Sequence, residues 1–333
     1  MNMFGKWYEI TWQITSDCNL RCPFCNVPQR YKSKAKPSLY HMERFIDYIS
    51  ESLRNIRYRR LFWSGGEPTL CKELFYLTRI ARQKGWKVGM VTNGILLDRL
   101  STQIATSGID LIMVSVDGSN ALIHDIHRGP GTFNKVIKGI RRLRETCGSD
   151  VKIGFSTLIT SYNLSDIANI IDLGARLGID LICIRPVLVN NNSPFALHIT
   201  PTLMKELRTI VENKAKEYEG IIKMQVTDLY WKQVEKLLLN RATEEPMKCF
   251  SGVYFFHITP TGHIFPCWMT DSLKSTITIN NVMRLHPDSF VKYLRNYFNI
   301  FIRRINPIIR PCNRCLVFYN IVANEGCSDM LFM

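Results

Sequence analysis

Cys18-Asn19-Leu20-Arg21-Cys22-Pro23-Phe24-Cys25 spaces three thiols as Cys-x3-Cys-x2-Cys, just after the apolar run Tyr8–Ile14. That run reads as a strand, which puts the thiols in the loop at its C-terminal end. Downstream, a helical pattern covers about Ser38–Leu53, with Tyr40, Met42, Phe45, Ile46 and Ile49 on one face. Strands over Arg60–Ser64, Lys87–Thr92 and Leu111–Val116 alternate with helices over about Lys72–Lys84 and Leu97–Ser107. After a long loop come a helix over Phe133–Glu145, a strand over Val151–Ile159, a helix over Leu164–Leu177 and a strand over Asp180–Ile184. One more helix, near Pro201–Tyr218, closes this region. Such alternation calls for an α/β fold, a parallel sheet with helical crossovers. Six units are too few for a closed eight-unit barrel. On periodicity alone, a six-unit partial barrel and an open doubly wound sheet fit equally well.

Composition narrows the class. The hydrophobic share of 46% and charged share of 21% exclude a disordered or collagen-like chain. A net charge of +15 over 333 residues favours acidic partners. The N-terminus lacks a signal-peptide pattern, and the most apolar stretch, Ile179–Leu188, is broken by Asp180, Arg185 and Pro186, short of a membrane span. Eleven cysteines, an odd number in clusters, argue against a secreted disulfide scaffold and for metal ligands in a reducing cytoplasm.

By themselves the three clustered thiolates admit two sites. They can hold three irons of a 4Fe–4S cube and leave the fourth iron open. They can also form a structural zinc site, with His41 or a distant cysteine as fourth ligand. The surroundings separate these. Ser64-Gly65-Gly66-Glu67-Pro68, Val91-Thr92-Asn93-Gly94 and Ser115-Val116-Asp117-Gly118 close the next three strands. All lie at C-terminal strand ends, the edge where parallel α/β folds place their chemistry. Paired glycines let a ligand approach the backbone, and a carboxylate beside them can hold an amine.

With these motifs in this order, residues 7 to about 190 resemble the radical S-adenosylmethionine (SAM) enzymes. The resemblance implies a partial (β/α)6 barrel in which Cys18, Cys22 and Cys25 bind a 4Fe–4S cluster whose free iron chelates SAM. It places Phe24 near the adenine, Gly65, Gly66 and Glu67 in the segment contacting the methionine amine, and Ser115 and Asp117 near the ribose or carboxylate. Asn93 lies at the mouth, and Arg128 resembles an arginine that some subfamilies aim at the SAM carboxylate. The implied chemistry is an electron from a low-potential donor such as flavodoxin or ferredoxin, cleavage of SAM to a 5′-deoxyadenosyl radical, and abstraction of a substrate hydrogen.

Residues 219–333 read as a second, cysteine-bearing domain after a first domain over 1–218. Phe256–Ile264 has the pattern of a hairpin around Pro260-Thr261-Gly262, with Cys249 and Cys267 at its bases and Cys312-x2-Cys315 further on. Four such cysteines fit an all-thiolate zinc site or a fully ligated 4Fe–4S cluster. Their spacing resembles the Twitch/SPASM extensions of radical SAM enzymes, which implies one auxiliary 4Fe–4S cluster on Cys249, Cys267, Cys312 and Cys315. Cys327 falls outside that pattern, and Cys71, Cys147 and Cys183 read as small core residues. An auxiliary cluster suits electron uptake from a substrate radical, hence a net oxidation. Asp228, Tyr254, Arg185 and His257 are the groups available to remove a proton.

Between Met283 and Arg314, Arg284, Lys292, Arg295, Arg303, Arg304, Arg310 and Arg314 interleave with aromatics, of which Phe290, Tyr293, Tyr297 and Phe301 follow helical spacing as a core face. A first strand near residue 7 leaves no room for an N-terminal leader-binding domain, which disfavours a self-sufficient peptide maturase. The expected function is therefore oxidation of a small polar, anionic metabolite. The alternatives are a peptide-modifying maturase, which forms a crosslink or an epimer, and a zinc-stabilised binding protein without redox chemistry. Neither a nucleic-acid partner nor a membrane span is expected. Cys22→Ala is expected to abolish SAM cleavage, checked as release of 5′-deoxyadenosine from anaerobically reconstituted protein.

Overall fold

The computed structural model describes residues 7–31, 36–190, 192–224, 226–239, 254–267 and 276–305. The strands are β1 (Trp7–Thr15), β2 (Tyr58–Gly65), β3 (Lys87–Thr92), β4 (Leu111–Ser115), β5 (Lys152–Ile159), β6 (Leu181–Pro186), β7 (Lys223–Met224), β8 (Phe255–Ile258) and β9 (Ile264–Phe265). They form one sheet in the order β7-β6-β5-β4-β3-β2-β1-β8-β9. Every neighbouring pair is parallel except β8 with β9. Among the described residues the sheet does not close, and β7 and β9 are its outermost strands.

The helices are α1 (Val27–Arg30), α2 (Leu39–Ser52), α3 (Leu74–Gln83), α4 (Leu97–Ser107), α5 (Ala121–Arg128), α6 (Thr132–Cys147), α7 (Ile167–Arg176), α8 (Pro201–Glu217), α9 (Asp228–Leu238), α10 (Ile279–Val282) and α11 (Phe290–Ile305). The Ser38 side chain caps α2 by accepting from His41 N, and Met42, Phe45, Ile46 and Ile49 form its buried stripe. Tyr40, expected on that stripe, is 65% exposed. It stands two residues before Met42, and positions two apart on a helix point to different sides.

Alternation along the strands separates two surfaces. Ile10, Trp12 and Ile14 of β1, Leu61 and Trp63 of β2, and Ile153 and Phe155 of β5 join the large core under the helices. Two of its indoles are satisfied: Trp63 Nε1 donates to Thr78 Oγ1 (2.9 Å) and Trp86 Nε1 to Ser50 Oγ (2.8 Å). The opposite, interior surface carries a smaller cluster of Phe62, Leu111, Met113 and Leu181, with Val91 and Cys183 against it. Cys147 is buried as expected, whereas Cys71 sits in the turn before α3 and donates to Glu73 Oε2 (3.2 Å).

Three departures from the sequence reading stand out. The long loop after β4 contains α5, whose cap is Asn120, accepting from Ile123 N, and which stops at Gly129 with φ +109°. The described part of 219–333 shares the first region's sheet and core. The expected hairpin is present, but β8 pairs in parallel with β1, Thr11 opposite His257. Among the described side chains of α11, Phe290, Leu294 and Phe298 are buried, an i, i+4, i+8 stripe, while Tyr293 is exposed. Lys292, Arg295 and Arg284 are exposed, and Arg310 and Arg314, like the side chains of Phe301, Arg303 and Arg304, lie outside the described residues.

Asp180, just before β6, ties that strand to its neighbour. It accepts from Ile153 N (2.8 Å), Lys152 Nζ (3.0 Å) and Arg144. Burial pushes its pKa up, but these donors outweigh burial and hold it below the usual carboxylate range. Asp180→Asn is expected to cost about 1–3 kcal/mol at neutral pH, read by urea denaturation. Because the folded state favours the ionised form, the gap to the unmodified protein stays constant above the unfolded pKa of about 4 and closes as pH falls through the depressed folded value.

Candidate active site

The cysteine loop is seated by backbone. Where β1 ends, Gly66 N donates to Thr15 O (2.8 Å) and Glu67 N to Asp17 O (2.7 Å). Gly65 has φ +137°, and a Cβ there would lie 2.2 Å from Thr15 O; one on Gly66 would lie 2.3 Å from Asp17 O. The close approach that the glycine pair permits is thus made by the cysteine loop itself. Lys36 Nζ adds bonds to Thr15 Oγ1 and Asp17 Oδ2, both 2.9 Å, and the Lys36 bond holds the Asp17 carboxyl below its ordinary range. Cys25 N donates to Cys22 O (3.0 Å), closing the turn that carries Phe24.

Glu67 is fully buried, and its carboxylate is consumed internally. Oε1 accepts from Thr69 N (3.1 Å), Thr69 Oγ1 (2.6 Å) and Thr92 Oγ1 (2.7 Å), while Oε2 accepts from Asn93 N (2.7 Å). Burial pushes its pKa up against these donors. The carboxylate therefore staples the ends of β2 and β3, and what this segment can offer a ligand amine is main chain. Asn93 is likewise committed: its Nδ2 donates to Asn19 Oδ1 (2.7 Å) and reaches Cys18 Sγ at 3.8 Å.

Asp117 follows β4 and is also fully buried. Its Oδ1 accepts from Leu158 N (2.8 Å), its Oδ2 from Arg128 Nε (2.5 Å), and Asn163 Nδ2 donates to its carbonyl (2.9 Å). The sequence reading places it near the ribose or carboxylate; in the structure it holds Arg128, the arginine which that reading aims at the SAM carboxylate. Burial opposes the charge of Arg128, but Asp117 and Cys22 outweigh it and keep its pKa above the ordinary value. Arg128 Cζ lies 5.4 Å over the Phe24 ring, which also packs on Phe195 (5.5 Å) and His127 (6.2 Å). Ser115, the last residue of β4, is buried opposite Ser156 of β5.

The three loop thiols are free, Cys18 and Cys22 half-buried and Cys25 exposed. Burial pushes the first two thiol pKa values up, while Leu20 N–H and Asn93 pull Cys18 back and Arg128 pulls Cys22 back. N–H donors aimed at two sulfurs fit anionic thiolate ligands. Among the described residues no three His, Cys, Asp or Glu side chains converge on a single ion. A cubane does not ask for that, since each thiolate binds a different iron. Cys18, Cys22 and Cys25 would hold such a cluster, which supplies the electron that cleaves SAM. Of the other cysteines, Cys267 follows β9 and is half-buried; Cys249, Cys312, Cys315 and Cys327 lie outside the described residues.

Residues 12–174 match the radical SAM superfamily. The chain is a radical SAM enzyme. It is 25% identical over 281 residues to an AdoMet-dependent heme synthase of Methanosarcina barkeri, covering 80% of this chain and 78% of that protein. It is 25% identical over 321 residues to a PqqA peptide cyclase of Bradyrhizobium diazoefficiens, covering 94% and 79%. Two solved structures share the fold. Native anSMEcpe with bound AdoMet has a TM-score of 0.63 at 15% identity, covering 92% of this chain and 88% of that one. Streptococcus suis SuiB has a TM-score of 0.65 at 16% identity, covering 86% of this chain; the chain spans 66% of SuiB's length.

The radical SAM enzyme presents few groups for proton removal. Asp228 pairs with Arg208 on the surface, and Tyr254 packs on Trp7 (5.2 Å). Arg185 of β6 and His257 of β8 lie on the interior sheet face, His257 with its pKa taken down to about 3 by burial and the nearby Arg30 charge. Among the described residues no helix is long and apolar enough to cross a membrane. Gly66→Ala is expected to displace the cysteine loop, cutting iron uptake on reconstitution several-fold while far-UV circular dichroism stays unchanged. Iron analysis on matched, folded samples checks this.

Proposed function

We propose that this enzyme modifies a peptide, abstracting a hydrogen atom from a residue of a chain held in the interior of the partial barrel. The match to a PqqA peptide cyclase over 94% of the chain carries this reading. A similarity to the mycofactocin maturase MftC of Mycolicibacterium smegmatis, 28% identical over 173 residues and 43% of that protein, points the same way. When bound, the cluster and SAM supply the 5′-deoxyadenosyl radical. The chain's own part is to seat the loop through Gly66 and Glu67 and orient Arg128 through Asp117.

Oxidation of a smaller anionic metabolite is the second reading. Arg185 Nη2 donates to Ser156 Oγ (2.9 Å), and its Nε is buried without a partner. Among the described residues Arg185 forms no ion pair, which suits a substrate carboxylate. In either case we assign Cys249, Cys267, Cys312 and Cys315 to one auxiliary 4Fe–4S cluster that takes up the electron left on the substrate. A flavodoxin- or ferredoxin-type donor and a cytoplasmic location complete the proposal, both consistent with thiols kept reduced.

Three measurements test it. Anaerobic reconstitution is expected to give about eight irons per chain and a brown chromophore. Incubation with SAM, reductant and short peptides encoded beside the gene is expected to yield an oxidised peptide changed in mass. Conversion of carboxylated small molecules alone would favour the second reading. Cys312→Ala is expected to retain uncoupled SAM cleavage and lose oxidised product; undiminished product would refute the acceptor role.

A further inference from the structure

The three loop sulfurs do not receive equal electrostatics. Cys18 Sγ accepts from neutral donors, Leu20 N at 3.4 Å and Asn93 Nδ2 at 3.8 Å. Cys25 is exposed and accepts from no donor among the described residues. Cys22 Sγ alone faces a full positive charge, Arg128 Nη1 at 3.9 Å. That guanidinium cannot swing freely. Its Nε is held by buried Asp117 at 2.5 Å, its face covers Phe24, and its side chain is only 13% exposed. Asp117 is itself pinned, because its other oxygen accepts from Leu158 N.

Hydrogen bonds to sulfur, local charge and exposure to solvent set the reduction potential of an iron–sulfur cluster. Adding an electron makes the cluster more negative, and a cation fixed beside a ligand sulfur stabilises that state in a medium where water screens poorly. We propose that Arg128, positioned by Asp117, raises the reduction potential of the cluster carried on Cys18, Cys22 and Cys25. The inference rests on the cluster reading above and goes beyond a contact with the SAM carboxylate, since it operates before SAM binds. The step involved is transfer of one electron from a low-potential flavodoxin or ferredoxin type of donor to the cluster. No bond is made or broken, and no proton moves.

The charge on Arg128 makes the test signed. Reconstituted protein without SAM is titrated anaerobically with dithionite, and the reduced cluster is followed by electron paramagnetic resonance. At the midpoint of the unmodified protein, Arg128→Gln is expected to lower the ratio of reduced to oxidised cluster about tenfold, equal to about 59 mV for a one-electron couple. Arg128→Lys keeps the charge and is expected to fall between the two. Unchanged midpoints in the Arg128 variants at normal iron content, or Arg128→Lys falling as far as Arg128→Gln, would overturn the inference, since loosened packing has no reason to follow the charge. Failure of the unmodified protein to assemble any cluster would overturn the cluster reading together with it. Normal assembly with unmoved potentials would remove only the role of Arg128.

Discussion

Two main-chain hydrogen bonds, from Gly66 to Thr15 and from Glu67 to Asp17, anchor the site. They join the loop leaving β1 to the loop leaving β2 at a separation that no side chain on Gly66 could share. A loop bearing three thiols has little apolar surface of its own to bury, so packing cannot hold it in one place. Backbone pairing can, because each bond fixes both position and direction. Everything that follows in the site, from the turn at Phe24 to the reach of Arg128, is measured from that seam.

Two buried carboxylates extend the same logic. Glu67 and Asp117 are both fully inaccessible, and each spends its oxygens on donors from a neighbouring strand end. A buried carboxylate left unpaired would cost far more than its bonds return, so each one demands that its partners be in place. The C-terminal edge of the sheet is thereby locked strand to strand, and the groups left to face a ligand are main chain, Arg128 and Phe24, which His127 and Phe195 back. A reading that assigns every motif side chain to the cofactor overlooks this, because half of them serve to hold the other half.

The segments that could be read from the sequence were those whose pattern is local. Leu97–Ser107 was legible to the residue, and the hairpin around Gly262 was legible from its turn chemistry. The helix carrying Arg128 was hidden, since its eight residues offer little periodicity and the loop signals around Gly118 and Gly129 dominate. The face of α11 was misjudged by one residue because aromatic and aliphatic positions alternate there. Which of the two stripes is buried depends on the neighbours it meets, among them Phe256 and Tyr48 against Phe290.

By itself the sequence determined the α/β class, the thiol trio and the strand ends at which the chemistry gathers, because spacing and periodicity are properties of the chain alone. Tertiary structure decided what each motif residue does. The sequence could not tell a carboxylate facing a ligand from one buried against Thr92 and Asn93, nor place β8 beside β1 rather than in a separate unit. Those outcomes turn on contacts between residues 25 to 246 positions apart. Such contacts form only when desolvation and hydrogen bonding across the folded sheet are settled together.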